Sequence, residues 1–233
     1  MKRATRAAAV SVGLVLSWAC GFTEYVTTTA VGSGRLATES RPVHGFTAVA
    51  VSGAGHLIIE QTGVESLQVT AEDNILPFVL TEVRGGRLHL GFEPGVGIHA
   101  TRGVEYRLTV AELSDIEGSG ASRVEVVHVD TRELTTRISG ASSYTAAGNA
   151  DDHRIDLSGA SRCEAGDLVS RDVTASLSGA SRCLVHVQDR LVVNASGAST
   201  LEYIGHPAVE AHVSGGSVVR ALLCVDGRQS VGC

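Results

Sequence analysis

The sequence predicts an all-β protein, a right-handed parallel β-helix with rungs of about 18–20 residues. Three observations carry that expectation. A Ser-Gly-small-Ser tetrad begins at Ser119, Ser139, Ser158, Ser178, Ser196 and Ser214, at spacings of 20, 19, 20, 18 and 18 residues. A period of this length marks a solenoid, in which each repeat buries its apolar face only against its neighbours. Around the tetrads apolar and polar positions alternate, as in a strand with one buried face. The residue inventory also suits a thin layered core better than a conventional one, with 4% aromatics and 27 glycines.

From the N-terminus, Lys2, Arg3 and Arg6 form a short positive segment, and residues 7–18 follow without a charge. Small residues at Ser17 and Ala19 precede Cys20 and Gly21. This order predicts a secretory signal peptide over residues 1–19, too short for a permanent membrane span. Cys20 is the candidate lipidation site, through which acyl chains would hold a soluble domain on a membrane. Ser17 stands where a lipobox prefers a Leu-like residue, so cleavage after Ala19 without lipidation is the alternative. Residues 20–40 are small and polar and are expected to form a tether. The solenoid is expected over residues 41–223, and residues 224–233 form a C-terminal tail.

Removing residues 1–19, with three positive charges and no negative one, takes the formal charge from −6 to −9. That argues against nucleic acid, which needs a basic face, and against electrostatic docking on anionic lipid. The expected partner is a protein or glycan of the cell envelope, or a second copy of the chain, with membrane contact only through the anchor. Setting Cys20 aside leaves Cys163, Cys183, Cys224 and Cys233, an even number open to disulfide pairing in an oxidising compartment. Cys163 and Cys183 occupy equivalent places in adjacent repeats, where stacked thiols are the alternative. Cys224 and Cys233 are placed to close a loop over the end of the stack.

Within the N-terminal half, Ser52-Gly53-Ala54-Gly55 is a further tetrad, flanked by Val49 and Val51 before and Leu57 and Ile59 after. Strand-like runs follow at 67–71, 88–91 (after a Gly85-Gly86 turn) and 106–110, with an apolar run at 75–80. This part is expected to be a looser version of the array. In the regular array, aligning on the first Ser puts Val124, Tyr144, Cys163, Cys183, Leu201 and Val219 in one column. The position before the tetrad reads Gly118, Ile138, Leu157, Leu177, Ala195 and Val213, and the one before that Glu117, Arg137, Asp156, Ser176, Asn194 and His212. Each repeat is therefore strand, tight bend, strand. Gly120, Gly140, Gly159, Gly179, Gly197 and Gly215 supply backbone freedom or room at the bend. The fourth-place serines, Ser122 to Ser217, fall in the buried phase and are expected to form a hydroxyl ladder. No inner period of six residues is present, which disfavours the left-handed hexapeptide helix.

Residues 42–60 resemble the opening of the bacterial head GIN domain family, also described as auto-transporter adhesins. Residues 71–76, the Thr81-Glu82-Val83 run and Leu108-Thr109-Val110 are similar to later family blocks, and the repeated Ser-Gly-Ala-Ser matches its C-terminal half. The resemblance covers roughly residues 41–222. It implies a β-helical fold on exported, often lipid-anchored proteins, and it brings no catalytic residues.

Direct reading of possible chemistry agrees. No Ser lies in a Gly-x-Ser-x-Gly elbow. The nine histidines form no close pair, there is no Cys-x-x-Cys, and no metal or cofactor is expected. Asn194-Ala195-Ser196 matches a glycosylation sequon by overlap with the repeat. The one candidate face is the outward column Arg123, Arg162 and Arg182, flanked by Glu125 and Glu164. It reads as an interaction surface of an exported, non-catalytic binding or structural module. The alternative is a carbohydrate-active β-helix enzyme, a lyase or glycosidase, since such enzymes need a basic residue or clustered carboxylates on one face. The absence of long insertions between repeats disfavours it.

Overall fold

The structure, a computed structural model, describes residues 28–222. The expected signal peptide, Cys20, Cys224, Cys233 and the tail lie outside the described residues. Among the described residues there is no α-helix; a single 3-10 turn occurs at Leu76–Phe78.

Chain order begins with β1 (Thr28–Val31) and β2 (Leu36–Arg41). Over residues 28–40 these strands take the place of the expected tether, and residues 20–27 lie outside the described residues. β2 runs antiparallel to β5 (Ser66–Glu72), with the Thr38 and Thr70 hydroxyls 2.8 Å apart. β1 runs parallel to β8 (Val96–His99). Exposed edge strands need no apolar face, and β-branched Thr suits extended backbone, so a polar composition is compatible with strand here.

The remaining N-terminal strands are β3 (Ala48–Val51), β4 (Gly55–Gln61), β6 (Val79–Arg84), β7 (Arg87–Phe92) and β9 (Val104–Val110). β6 and β7 form a hairpin through Gly85 and Gly86, both at positive φ. β3 lies parallel on β7, and β4 lies parallel on β9. Residues 48–61 thus make a complete rung between strands that come later in the chain. Beyond that rung, β5 covers β9 and β6 covers β7, both antiparallel. This antiparallel layer closes the N-terminal end of the stack. The run at 75–80, expected to be part of the looser array, is a 3-10 turn leading into β6.

The regular array follows: β10 (Asp115–Gly118), β11 (Arg123–Ile138), β12 (Ser143–Leu157), β13 (Arg162–Leu177), β14 (Arg182–Ala195), β15 (Thr200–Ile204), β16 (Ala208–Val213) and β17 (Val218–Ala221). All its pairings are parallel. The whole is a β-solenoid of about 5 turns. Each of β11 to β14 is nearly a whole rung, bent where the register shifts, as between Val126 and Val129. The aligned columns of the sequence are register partners: Val124, Tyr144, Cys163, Cys183, Leu201 and Val219 follow one another rung by rung. The first five are fully buried. At the last rung the inward positions emerge: Val209 and Val213 are 42% and 46% exposed, against 0% and 3% for Leu191 and Ala195 one rung earlier.

Candidate functional site

The tetrads form a corner that repeats along the solenoid axis. Gly120, Gly140, Gly159, Gly179, Gly197 and Gly215 all sit near φ +70 to +80°, a region L side chains avoid. Their stacking extends to Gly53, whose carbonyl accepts from Ala121 N at 3.0 Å. Above it, Ala141, Ala160, Ala180 and Ala198 each donate to the glycine carbonyl of the rung below at 2.8 Å. A hydrogen-bond ladder therefore runs unbroken through the corner, which a loop would ordinarily interrupt.

The fourth-place serines Ser122, Ser142, Ser161, Ser181 and Ser199 are buried, and Ser217 is half-buried. The expected hydroxyl ladder forms only at its start, where Ser122 Oγ donates to Ser142 Oγ at 3.1 Å. In the next rungs the hydroxyl turns back into its own tetrad. Ser161 donates to the Ser158 carbonyl at 2.6 Å, Ser181 to Ser178 at 2.7 Å and Ser199 to Ser196 at 2.8 Å. A local acceptor three residues back is closer than a hydroxyl one rung away, so each hydroxyl caps its own bend.

The Arg123, Arg162, Arg182 column points outward as expected, but it is not a continuous line. Ser143 stands between Arg123 and Arg162, and only Arg162 and Arg182 are direct neighbours. Arg162 Nε donates to Glu164 at 2.7 Å, and Glu125 lies 3.4 Å from His56. The face therefore holds mixed charges, several already paired. Cys163 and Cys183 are adjacent, buried, free thiols. The Cys163–Cys183 bridge considered from the sequence is not formed. Burial pushes the Cys183 thiol up, with a smaller push from Cys163 beside it.

Two buried polar groups lie apart from the candidate face. Glu72 is fully buried and accepts from Gly34 N at 2.7 Å, Thr101 N at 2.8 Å and Thr101 Oγ1 at 2.6 Å. These bonds, led by the Thr101 hydroxyl, hold its carboxyl below the usual range. It clamps Gly34, between β1 and β2, onto Thr101, just after β8. His153 lies inside the stack against Thr136 Oγ1 at 3.1 Å, and desolvation lowers its pKa to about 3. Among the described residues no three His, Cys, Asp or Glu side chains cluster as a metal site.

An open groove of about 990 Å³ lies beside the corner. Its lining spans six rungs: the outward columns Glu117 to His212 and Ser139 to Ser214, with the apolar Ile138, Leu157, Leu177 and Ala195 between them and Ala211 and Val213 at the last rung. The residues between them point inward, so the chain bends away from solvent and the outward side chains converge across the bend. Sequence alignment did show the first column as polar. Its concavity depends on the bend angle, which no residue pattern reports.

Among the described residues the fold is a parallel solenoid with an open groove beside its repeating corner and no cluster of metal-ligating side chains. Residues 45–207 match the family model described as "Putative auto-transporter adhesin, head GIN domain", and the chain belongs to that family. Solved structures of similar fold include a "putative adhesin" from Bacteroides fragilis NCTC 9343, 19% identical, covering 83% of this chain and 100% of that one, with a TM-score of 0.67. Another, from Parabacteroides merdae ATCC 43184, is 18% identical, covers 84% and 99%, and has a TM-score of 0.51. No match to a curated protein is found.

Proposed function

We propose that the chain is an exported envelope protein acting as a non-catalytic binding or adhesion module. The observation that carries this reading is the groove, which repeats the same outward side-chain positions over six rungs and is backed by a ladder of hydrogen bonds. Such a surface presents many equivalent weak contacts to an elongated partner, whereas a catalytic site gathers unlike groups at one place. Membership in an adhesin-named family supports the same reading. The enzyme alternative leaned on the arginine column, which Ser143 interrupts. Anchoring through Cys20 follows from the order of charges, apolar run and small residues in the first twenty positions. Cell fractionation followed by mass spectrometry of the mature N-terminus tests the reading. The expected product is envelope-bound and begins at an acylated Cys20. A cytoplasmic chain still beginning at Met1 would overturn it.

A further inference from the structure

We infer that the groove beside the Ser-Gly-Ala-Ser corner binds an extended, uncharged glycan chain lying along the solenoid axis. This rests on the binding-module reading above and names its ligand class.

Charge comes first. Every ionic group lining the groove has an opposite charge beside it. Glu117 meets Arg87 at 3.0 Å, and Arg137 meets Asp115 at 2.5 Å. Asp156 lies 3.6 Å from Arg154, and His212 Nε2 lies 3.4 Å from Glu210 Oε1, an ion pair only when the imidazole is protonated. The groove therefore offers neither a row of free cations for an anionic polymer nor free carboxylates for a cationic one. What remains along its length is neutral hydrogen-bonding capacity: the Ser176 hydroxyl, the Asn194 amide and the first-place serine hydroxyls. Ser178 and Ser196 hold only long bonds, 3.4 Å, to backbone carbonyls of the preceding rung. Their oxygens keep accepting capacity for an incoming donor.

The floor excludes an extended peptide as the occupant. The backbone N–H groups of Ser158, Ser178, Ser196 and Ser214 are committed to carbonyls one rung back at 2.9 to 3.0 Å. No free strand edge is available in the groove for pairing with an extended peptide. The inward residues beneath it, Ile138, Leu157, Leu177 and Ala195, are 1–3% exposed. Apolar surface in the groove is concentrated at its last rung, where Ala211 and Val213 are exposed. A polyhydroxylated chain supplies its own donors and acceptors and needs neither. From Glu117 to His212 the groove crosses five rung intervals, about 24 Å in all. No Phe, Tyr or Trp side chain lines it, so no large stacking platform contributes and each sugar unit is held weakly. Affinity must then accumulate over several units.

Titration calorimetry of the exported chain with neutral β-linked gluco-oligosaccharides of increasing length is the test, with uronate oligosaccharides, a free fatty acid and an extended polar peptide alongside. The expected result is affinity for the neutral series that climbs with each added unit until the groove is spanned. The pair Ser178→Lys with Asn194→Lys, both at exposed outward positions, should lower it about tenfold or more by filling the groove. Thr145→Lys, outward on another column, should leave it unchanged. No heat with any neutral oligosaccharide, indifference to the lysine pair, or tighter binding of the uronate series, the free fatty acid or the peptide would each overturn the inference. An envelope-located chain that binds no glycan would remove this inference alone. A cytoplasmic location would remove the reading it rests on, whatever the titration shows.

Discussion

At Gly159 a Cβ would lie 2.5 Å from the carbonyl oxygen of Gly140, and the residue sits at φ +76°. Both conditions are unfavourable to any other side chain, and the oxygen is backbone that cannot swing aside. Gly159→Ala should therefore cost about 1–3 kcal/mol in urea unfolding, while Ala160→Ser on the exposed neighbour should stay within about 0.5 kcal/mol. Equal effects would mean that the corner is not stacked. His153 supplies a second prediction at this scale. Its folded pKa is depressed to about 3 by desolvation, so the unfolded chain binds the extra proton between that value and the ordinary histidine range. Stability is then fully present above about pH 6.5 and falls as pH drops toward 3. Glu72, also depressed, adds to the same trend below the ordinary glutamate range. His153→Leu places an apolar residue in a column shared with Leu134 and Val173. It should flatten the upper part of the profile and leave the lower part, which belongs to Glu72.

Between neighbouring rungs, the informative contact is Cys163 on Cys183. Both thiols are fully buried, and burial pushes Cys183 up. A thiol attacks as the thiolate, so neither should react with iodoacetamide in the native state, and both should react once urea unfolds the chain. Rapid native labelling of Cys163 or Cys183, located by peptide mass spectrometry, would contradict the inward phase of β13 and β14. Those strands were legible before the structure because period-two alternation and a fixed spacing report two different things, which face is buried and which residues stack. The N-terminal half was less legible. Its single tetrad at Ser52 has no equally spaced partner, because residues 62–114 are inserted between that rung and the next. Thr28 to Arg41 gave no apolar alternation, since β2 is exposed on an edge and held by hydrogen bonds to β5. The groove was half legible: Glu117 to His212 stood in one polar column, but nothing in their identities shows that the chain bends there.

For the whole molecule, each rung of the array is held mainly by its two neighbours, which makes stability nearly additive along the axis. Deleting residues 159–178 joins Ser158 to Gly179 and restores an intact Ser-Gly-Ala-Ser corner. The shortened chain should remain folded and β-rich by circular dichroism, with a modestly lower melting temperature. Collapse of the fold would show that the rungs are not equivalent units. The two ends differ: antiparallel strands close the N-terminal end, while Val209 and Val213 stand exposed at the last described rung. The central claim is that residues about twenty apart lie one above another. Electron–electron distance measurement tests it most directly. Spin labels at Ala121→Cys and Ala198→Cys would be used, with Cys20, Cys224 and Cys233 replaced by Ser. The four rung intervals predict a narrow distribution near about 19 Å, whereas a broad distribution at much longer distances would contradict the stack.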